Sequence, residues 1–382
     1  MKILYFGTYE KNYPRNRIII DGLKQNNQEV KECHFPLWEE KDKTKRKINF
    51  FNITILSSKL IWAYFVLLIN FLKIKFDYDV MMVGYPGHLD IFLAKFLSFF
   101  KKKPLIFNPL ISIYDSVVLD RKLIQPSSLL AKLILICEKY IYRKSDFIIL
   151  DTQAHINYFV KQFGLSKDKL KRIFVGAEDI FLYERNLKIK IKNNKKTKVL
   201  FIGKFTPLHG IEFILEAAKQ LEKYHDLEFK IIGSGQLSSK IKKQAQKLKL
   251  KNINFKDWLS YKKLPQVIAE ADICLGIFGT SDKAQRVIPN KVFQAIALKK
   301  VVITEKSPAI SEAFKENENI LICQAGDAHS LAQKIIEIKK NQQLRLNIGI
   351  SAYKLFRKKF TTYKIGKETK KYLEEIIKNW KG

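Results

Sequence analysis

The sequence predicts an α/β protein of two Rossmann-like, doubly wound parallel-sheet domains, and three observations predict it. Apolar runs of strand length recur in both halves and end in glycine or polar residues. Helical patterns stand between them, so strands and helices alternate. A length of 382 residues, at roughly 100 to 200 per domain, makes two.

In the first half, residues 2–7 read as a strand running into the turn at Gly7 and Thr8. Arg15 and Arg17 then open a helix over 18–24, with Gly22 inside it. Further strands read at 79–84, 104–108 and 146–151, each closed by glycine or polar residues. His88 follows the first of these strands and Asp115 the second.

In the second half, a strand at 199–202 leads into Gly203-Lys204-Phe-Thr-Pro-Leu-His209-Gly210 and then into a helical pattern over 211–218. A glycine-rich turn entering a helix turns backbone N–H groups and the positive end of the helix dipole toward an anion, and Lys204 and His209 stand on that loop. Phosphate is the natural ligand; the alternative is a tight βα connection and nothing more. The strand at 228–232 ends in Gly233-Ser-Gly235 before a helix over 237–250. A strand at 253–258 ends near Trp258, a helix over 263–271 follows, and the strand at 272–277 contains Gly276. Ligands of such sheets lie beyond the carboxyl ends of the strands, so Gly203, Gly233, Trp258 and Gly276 share one rim. Next come Arg286, Pro289, Asn290 and Lys291, a helix over 292–298 and a strand at 301–304. Pro289 suits the opening of that helix, and the Arg286 fork suits two phosphate oxygens. The alternative for Lys283 and Arg286 is a solvated basic loop.

On the loop from Gly203 to Gly210, the Gly-x-Gly turn, Ala271-Asp-Ile and Ile288-Pro-Asn-Lys-x-x-x-Ala-x-Ala, nearly the whole chain resembles the family 4 glycosyltransferases of the GT-B fold. The resemblance implies two domains facing across a cleft, a donor domain whose loops hold a nucleoside diphosphate sugar, and transfer to a glycan or lipid-linked acceptor with retention of configuration. It also implies cell-surface polysaccharide or glycolipid synthesis and no bound metal or other cofactor. Donor contacts fall on Gly7, Thr8, Arg15, Gly203, His209, Gly210, Gly233, Gly235, Trp258, Pro289, Asn290, Lys291 and Gln294, and catalytic ones on His88, Asp115, Lys204 and Arg286. Two family glutamates are replaced: Gln294 stands where the second would bind ribose hydroxyls, and Arg286, eight residues earlier, where the first would contact the donor sugar. A Gln still accepts a hydroxyl hydrogen bond, without the strength of a charged acceptor. Retaining transfer needs charge stabilisation at the diphosphate and a close acceptor hydroxyl more than a dedicated base.

The expected division is an acceptor-side domain over 1–183, a charged connector over 184–198, a donor domain over 199–343, and helices over 344–382 that pack back on the first domain, as the resemblance implies. The formal net charge is +33, yet only ten of the 70 basic residues are Arg, so Lys is spread broadly. A nucleic-acid partner is not expected, because no concentrated basic face with stacking aromatics is legible. An anionic membrane surface fits better. The apolar stretch 48–72, with 60–72 its uninterrupted core, is flanked by 41–47 and by Lys73 and Lys75 and reads as a buried helix of the first domain or as one lying in a membrane interface. Residues 89–100 repeat the arrangement before Lys101-Lys-Lys103. Four widely spaced cysteines form no metal pair and no cleavable signal is legible, so the expected location is cytoplasmic, peripheral on the inner membrane face. The rival readings are an epimerase of the same fold, disfavoured by the two missing acids, a nucleotide-sugar-binding pseudoenzyme, and, third, a nucleic-acid-binding protein.

Overall fold

The computed structural model describes residues 1–39, 50–183 and 196–380, with 50–55 described by their backbone. It divides the chain into two units: Met1–Val118, Leu123–Val175 and Thr362–Gly382 form the first, and Leu119–Lys122 with Gly176–Thr361 the second.

In the first unit β1 (Lys2–Gly7), α1 (Pro14–Gln25), β2 (Glu29–His34), α2 (Phe50–Lys73), β3 (Val80–Val83), α3 (Asp90–Phe100), β4 (Leu105–Phe107), α4 (Leu129–Lys144), β5 (Phe147–Leu150), α5 (Gln153–Phe163) and β6 (Leu170–Arg172) follow in order. The parallel sheet runs β2-β1-β3-β4-β5-β6. The step from β1 to β2 runs one way along the sheet and every later step the other way. Right-handed crossovers therefore place α1 on one face and α2 to α5 on the opposite one. Packing agrees: Leu67, Ile91, Ala94, Ile141 and Phe159, from four helices, join Phe6, Val83, Phe107 and Leu150 in one core.

The second unit repeats the plan with β7 (Thr197–Ile202), α6 (Ile211–Gln220), β8 (Leu227–Ile232), α7 (Ser238–Lys247), β9 (Ile253–Lys256), α8 (Leu264–Ala269), β10 (Ile273–Leu275), α9 (Asn290–Ala297), β11 (Val301–Glu305), α10 (Pro308–Ala313), β12 (Leu321–Cys323), α11 (Ala328–Lys340) and α12 (Gln342–Lys359). Its parallel sheet runs β12-β11-β10-β7-β8-β9. Val199, Phe201, Phe229, Ile231, Ile273 and Ile303 face Ile214, Leu215, Leu331 and Ile335 in its core. Pro289 is the residue before α9, in extended conformation, as its fixed φ favours.

The last helix, α13 (Thr362–Asn379), belongs to the first unit and lies on α1. Gly22 and Gly366 meet there so closely that a Cβ on Gly366 would strike the Gly22 backbone.

The boundaries differ from the sequence reading. The first unit ends at Val175, not at 183, because Phe181 is buried against Tyr261 of the second unit. Of the connector over 184–198, residues 184–195 lie outside the described residues and β7 already begins at Thr197. Only α13 returns to the first unit, since α12 packs on α9 and β11 of the second. Residues 41–49, which carry the basic run before α2, lie outside the described residues. The reading of 60–72 as a buried helix is corrected: Leu67 is buried, but Ile61, Trp62, Phe65 and Leu72 are exposed.

Candidate functional site

At the carboxyl ends of β7 and β8 the chain makes two backbone turns that only glycine fits. Gly233 has φ +135°, and a methyl there would run into the Gly203 carbonyl oxygen; Gly210 has φ +58° and abuts the Phe278 and Gly279 backbone. Gly210 directly precedes α6, so the free N–H groups of that helix open onto the loop from Gly203. The Gly235 turn is pinned by Ser238 Oγ, which accepts from the Gly235 N–H at 2.7 Å, and by Leu237 N–H donating to Phe205 O at 2.9 Å.

Cations gather on this rim. Lys291, in the first turn of α9, donates to Gly276 O at 3.0 Å and lies 3.7 Å from the Phe201 ring centroid. A methyl on Gly203 would come within 3.0 Å of Lys291 Nζ and 3.3 Å of the His209 ring, which measures how tightly these groups are grouped. His209 Nδ1 faces the Lys204 carbonyl oxygen and the Thr206 hydroxyl, the latter at 3.2 Å. Loss of water, then the neighbouring Lys291 charge, holds the His209 pKa well below its ordinary value. Desolvation likewise lowers Lys291 well below the ordinary lysine value. Lys204 is exposed at the mouth of the loop.

Sequence reading missed residues that only the fold brings to this unit's rim. Arg121, from the short 119–122 segment, acts electrostatically on His209, and its carbonyl oxygen accepts from Gln236 Nε2 at 2.9 Å. The same segment is held by Ser281 Oγ donating to Asp120 at 3.0 Å. Gln294 Nε2 donates to Tyr261 Oη at 3.1 Å, and that hydroxyl donates to Glu178 at 2.5 Å. A carboxylate therefore stands one hydroxyl away from Gln294 and fixes which way its amide points, leaving the amide oxygen to act as a hydroxyl acceptor. No short-range signal reveals this chain, because Glu178 and Tyr261 are 83 positions apart.

Among the expected residues of this unit, Gly203, Lys204, His209, Gly210, Gly233, Gly235 and Lys291 come together. Pro289 and Asn290 open α9 beside them, and Gln294 follows one turn on. Arg286 ends the 3-10 turn Ala284–Arg286 and is half-buried. Trp258 stands 46% exposed on the loop after β9. Lys283, for which a solvated basic loop is the alternative reading, is buried.

The first unit assigns different work to its candidates. Arg15 is fully buried, with Nε donating to Asn108 at 2.9 Å and Nη1 to the carbonyls of Ile173 and Phe174 at 2.8 Å, so it ties the sheet's ends together and is withdrawn from a ligand. Thr8 is buried against Asp90, to which its N–H donates at 2.6 Å, and it accepts from Trp38 Nε1 at 3.0 Å. A side chain at Gly7, where φ is +119°, would strike the Asp90 carboxyl. Burial pushes the Asp90 pKa up to about 6. His88 is also buried; its ring nitrogens face the Pro86 and Ile111 carbonyl oxygens at 3.2 Å each, and Glu138 lies 3.6 Å away. Glu138 organises the loop after β4 by accepting from Ser112 Oγ, Ile113 N–H, Tyr114 N–H and Tyr142 Oη. Arg15, Thr8 and His88 thus all make contacts inside the unit, with Arg15 Nη2 left without a hydrogen-bond partner among the described residues. Asp115 is fully buried at the start of the π-helical turn Asp115–Asp120, its N–H donating to Ser112 Oγ at 3.0 Å. Among the described residues no cluster of three metal-ligating side chains occurs.

The rim just described lies within a segment that is similar to a known family. Residues 183–355 match the profile of glycosyl transferases group 1. An uncharacterised glycosyltransferase of Methanocaldococcus jannaschii is 25% identical over 245 residues, covering 63% of this chain and 61% of the relative. The chitobiosyldiphosphodolichol beta-mannosyltransferase of Candida albicans is 26% identical over 205 residues, covering 50% of this chain and 44% of the relative. The chain thus spans about three fifths of the length of the first of these relatives. The crystal structure of Anabaena HepE with UDP-glucose superimposes with TM-score 0.67 at 17% identity, covering 98% of this chain and 100% of HepE. The fold is the GT-B fold.

Proposed function

We propose that the protein is a glycosyltransferase that moves a sugar from a nucleoside diphosphate donor to a glycan or lipid-linked acceptor. The observation that carries this reading is the rim of the second unit. Three glycine turns, a helix N-terminus and the basic side chains Lys204, His209 and Lys291 converge within the segment that matches the group 1 profile. In this reading the diphosphate lies along Gly203 to Gly210, where the α6 N–H groups and Lys204 neutralise the charge that grows on the leaving nucleotide. Gln294, oriented by Tyr261 and Glu178, accepts a ribose hydroxyl. Arg286, in the place of an acid, offers a second cation toward the donor. Retention of configuration accords with a site that supplies charge stabilisation rather than an external base. Cell-surface polysaccharide or glycolipid is the product class that this acceptor range implies. The reading needs no metal, because fixed cations and helix dipoles supply the positive field. All four cysteines are free thiols, which suits a reducing, cytoplasmic site.

The test is thermal stabilisation by a panel of UDP-, GDP-, CMP- and dTDP-sugars, with and without chelator, on the protein and on Lys204→Ala. A shift with one nucleotide class that survives chelation and that Lys204→Ala weakens is expected. No shift with any donor would overturn the reading, and a shift without sugar transfer to any glycan or lipid-linked acceptor would leave a donor-binding pseudoenzyme in its place.

A further inference from the structure

Helices α2, α3 and α4 lie on one face of the first sheet, α3 packed against α4, and the inner residues of all three fill one core. Their outer residues are equally apolar. Trp62 is 59% exposed, Phe99 71% and Leu129 73%, with Phe65, Phe100 and Ile136 also exposed beside them. Aromatic side chains pair across this layer: Phe92 stacks on Tyr140 between α3 and α4 at 5.8 Å, and Trp62 lies 5.7 Å from Phe65. Scattered exposed apolar residues are ordinary in a soluble protein, whereas a contiguous layer of this kind marks an interaction surface.

Charge decides the occupant. The only acids on these three helices are Asp90 and Glu138, and both are buried. The exposed charges there are Lys59, Lys73, Lys132, Arg143 and Lys144, and Lys101 and Lys102 follow directly after α3. A second copy docked through the same face would set these cations against their own counterparts. An anionic headgroup layer complements them while its acyl boundary takes the aromatic side chains.

We propose that the outer faces of α2, α3 and α4 form one surface that docks on an anionic lipid bilayer, with Trp62, Phe65, Phe99 and Phe100 entering the interface and the lysines lying among the headgroups. The face lies on the membrane and does not span it. Leu56–Lys73 is long and apolar enough to cross by composition, but Ala63 and Leu67 are fully buried in the unit and hold α2 against its sheet. α3 has 11 residues and α4 has 16, short of the roughly 20 that a span needs. Such a surface would bring a lipid-carried acceptor to the protein, which extends the function proposed above without depending on it.

The experiment is flotation with vesicles of phosphatidylcholine alone and of phosphatidylcholine mixed with an equal part of phosphatidylglycerol, in the absence of any nucleotide sugar, so that failure leaves the donor reading standing. Flotation with the mixed vesicles, falling steeply with salt, is expected. Each of Lys59→Gln, Lys73→Gln and Lys132→Gln weakens it by about fivefold, the partition expected for one lysine near the surface. Brominated acyl chains quench the tryptophan fluorescence, and Trp62→Phe removes most of that quenching. Phe99→Ser with Phe100→Ser abolishes flotation, while an unchanged melting temperature and unchanged donor-induced stabilisation show that the variant is folded. The charge variants test the same point should this one not fold. Absence of flotation at low salt, or equal and salt-insensitive flotation on phosphatidylcholine alone, overturns the proposal. So does a concentration-dependent dimer in sedimentation that Phe99→Ser with Phe100→Ser dissolves, which would make the occupant a second copy.

Discussion

Lys291 and His209 crowd one another beside Gly203, and each is discouraged from holding a proton, His209 by burial and its cationic neighbour, Lys291 by burial. An anionic diphosphate would reverse both effects, raising each pKa toward its ordinary value of 6.5 or 10.5. The bound state would then hold more protons than the free state, so nucleotide binding is expected to take up protons and to weaken as pH rises through that window. Calorimetry of UDP-sugar binding in two buffers of different ionisation enthalpy measures the uptake directly; a zero uptake removes this account of the rim. Glu305, at the end of β11, carries the opposite sign. Both carboxyl oxygens are buried without a hydrogen-bond partner among the described residues, and desolvation pushes its pKa up to about 8 from 4.5. Its contribution to stability is fully present below pH 4.5 and is lost as pH rises through 8, a decline on the order of a few kcal/mol. Glu305→Gln should flatten that part of the stability curve, read by denaturant unfolding at several pH values. At this scale the sequence was a partial guide. The glycines and Lys204 were legible because turn geometry and helix entry are local. The burial of Arg15 and His88 was not legible, because an arginine that opens a helix reads the same whether it faces solvent or two carbonyl groups 158 and 159 positions away. Tyr261 and Glu178 carried no signal, since their pairing exists only once the chain is folded.

Among the elements, the central strands were the readable ones. β1, β3, β7 and β10 lie between two other strands of their sheets and show as apolar runs, and β8, also between two strands, as an alternation that ends in Ile231-Ile232. β2, β6 and β12 escaped, and all three are edges. β2 carries Glu29, Lys31 and Glu32 with only Cys33 buried, so it shows no apolar run, and β6 and β12 have three residues each, too few to establish a period. The α1 and α13 crossing was also hidden, though its contact glycines stood in view: Gly22 and Gly366 are small because two backbones touch there, which neither helix reveals alone. Gly366→Val should cost on the order of 3 kcal/mol and lower the melting temperature, whereas Gly366→Ala, with a smaller side chain, should cost less. Thermal unfolding of the two variants checks the order. Equal melting temperatures for both variants and the wild type would show that the helices can part without loss.

The whole molecule passes between its two units four times, after Val118, Lys122, Val175 and Thr361. Length and alternation announced two doubly wound units, but not that residues 119–122 would be lent to the second or that α12 would stay with it. Such loans are made by side-chain contacts, among them Ser281 with Asp120, that leave no periodic trace. Removing residues 362–382 should therefore damage the first unit and spare the second. In that truncated chain, hydrogen exchange is expected to speed up in α1 and β1, with little change in β7 and β8; uniform protection would show that α13 is dispensable. The attachment of α13 to α1 also sets an order of events on the ribosome. The half that is synthesised first must wait with the α1 surface bare until the final helix emerges, while the second, drawn from one stretch apart from four borrowed residues, can close before it. During synthesis, the earlier-made half is the one that needs shelter longest.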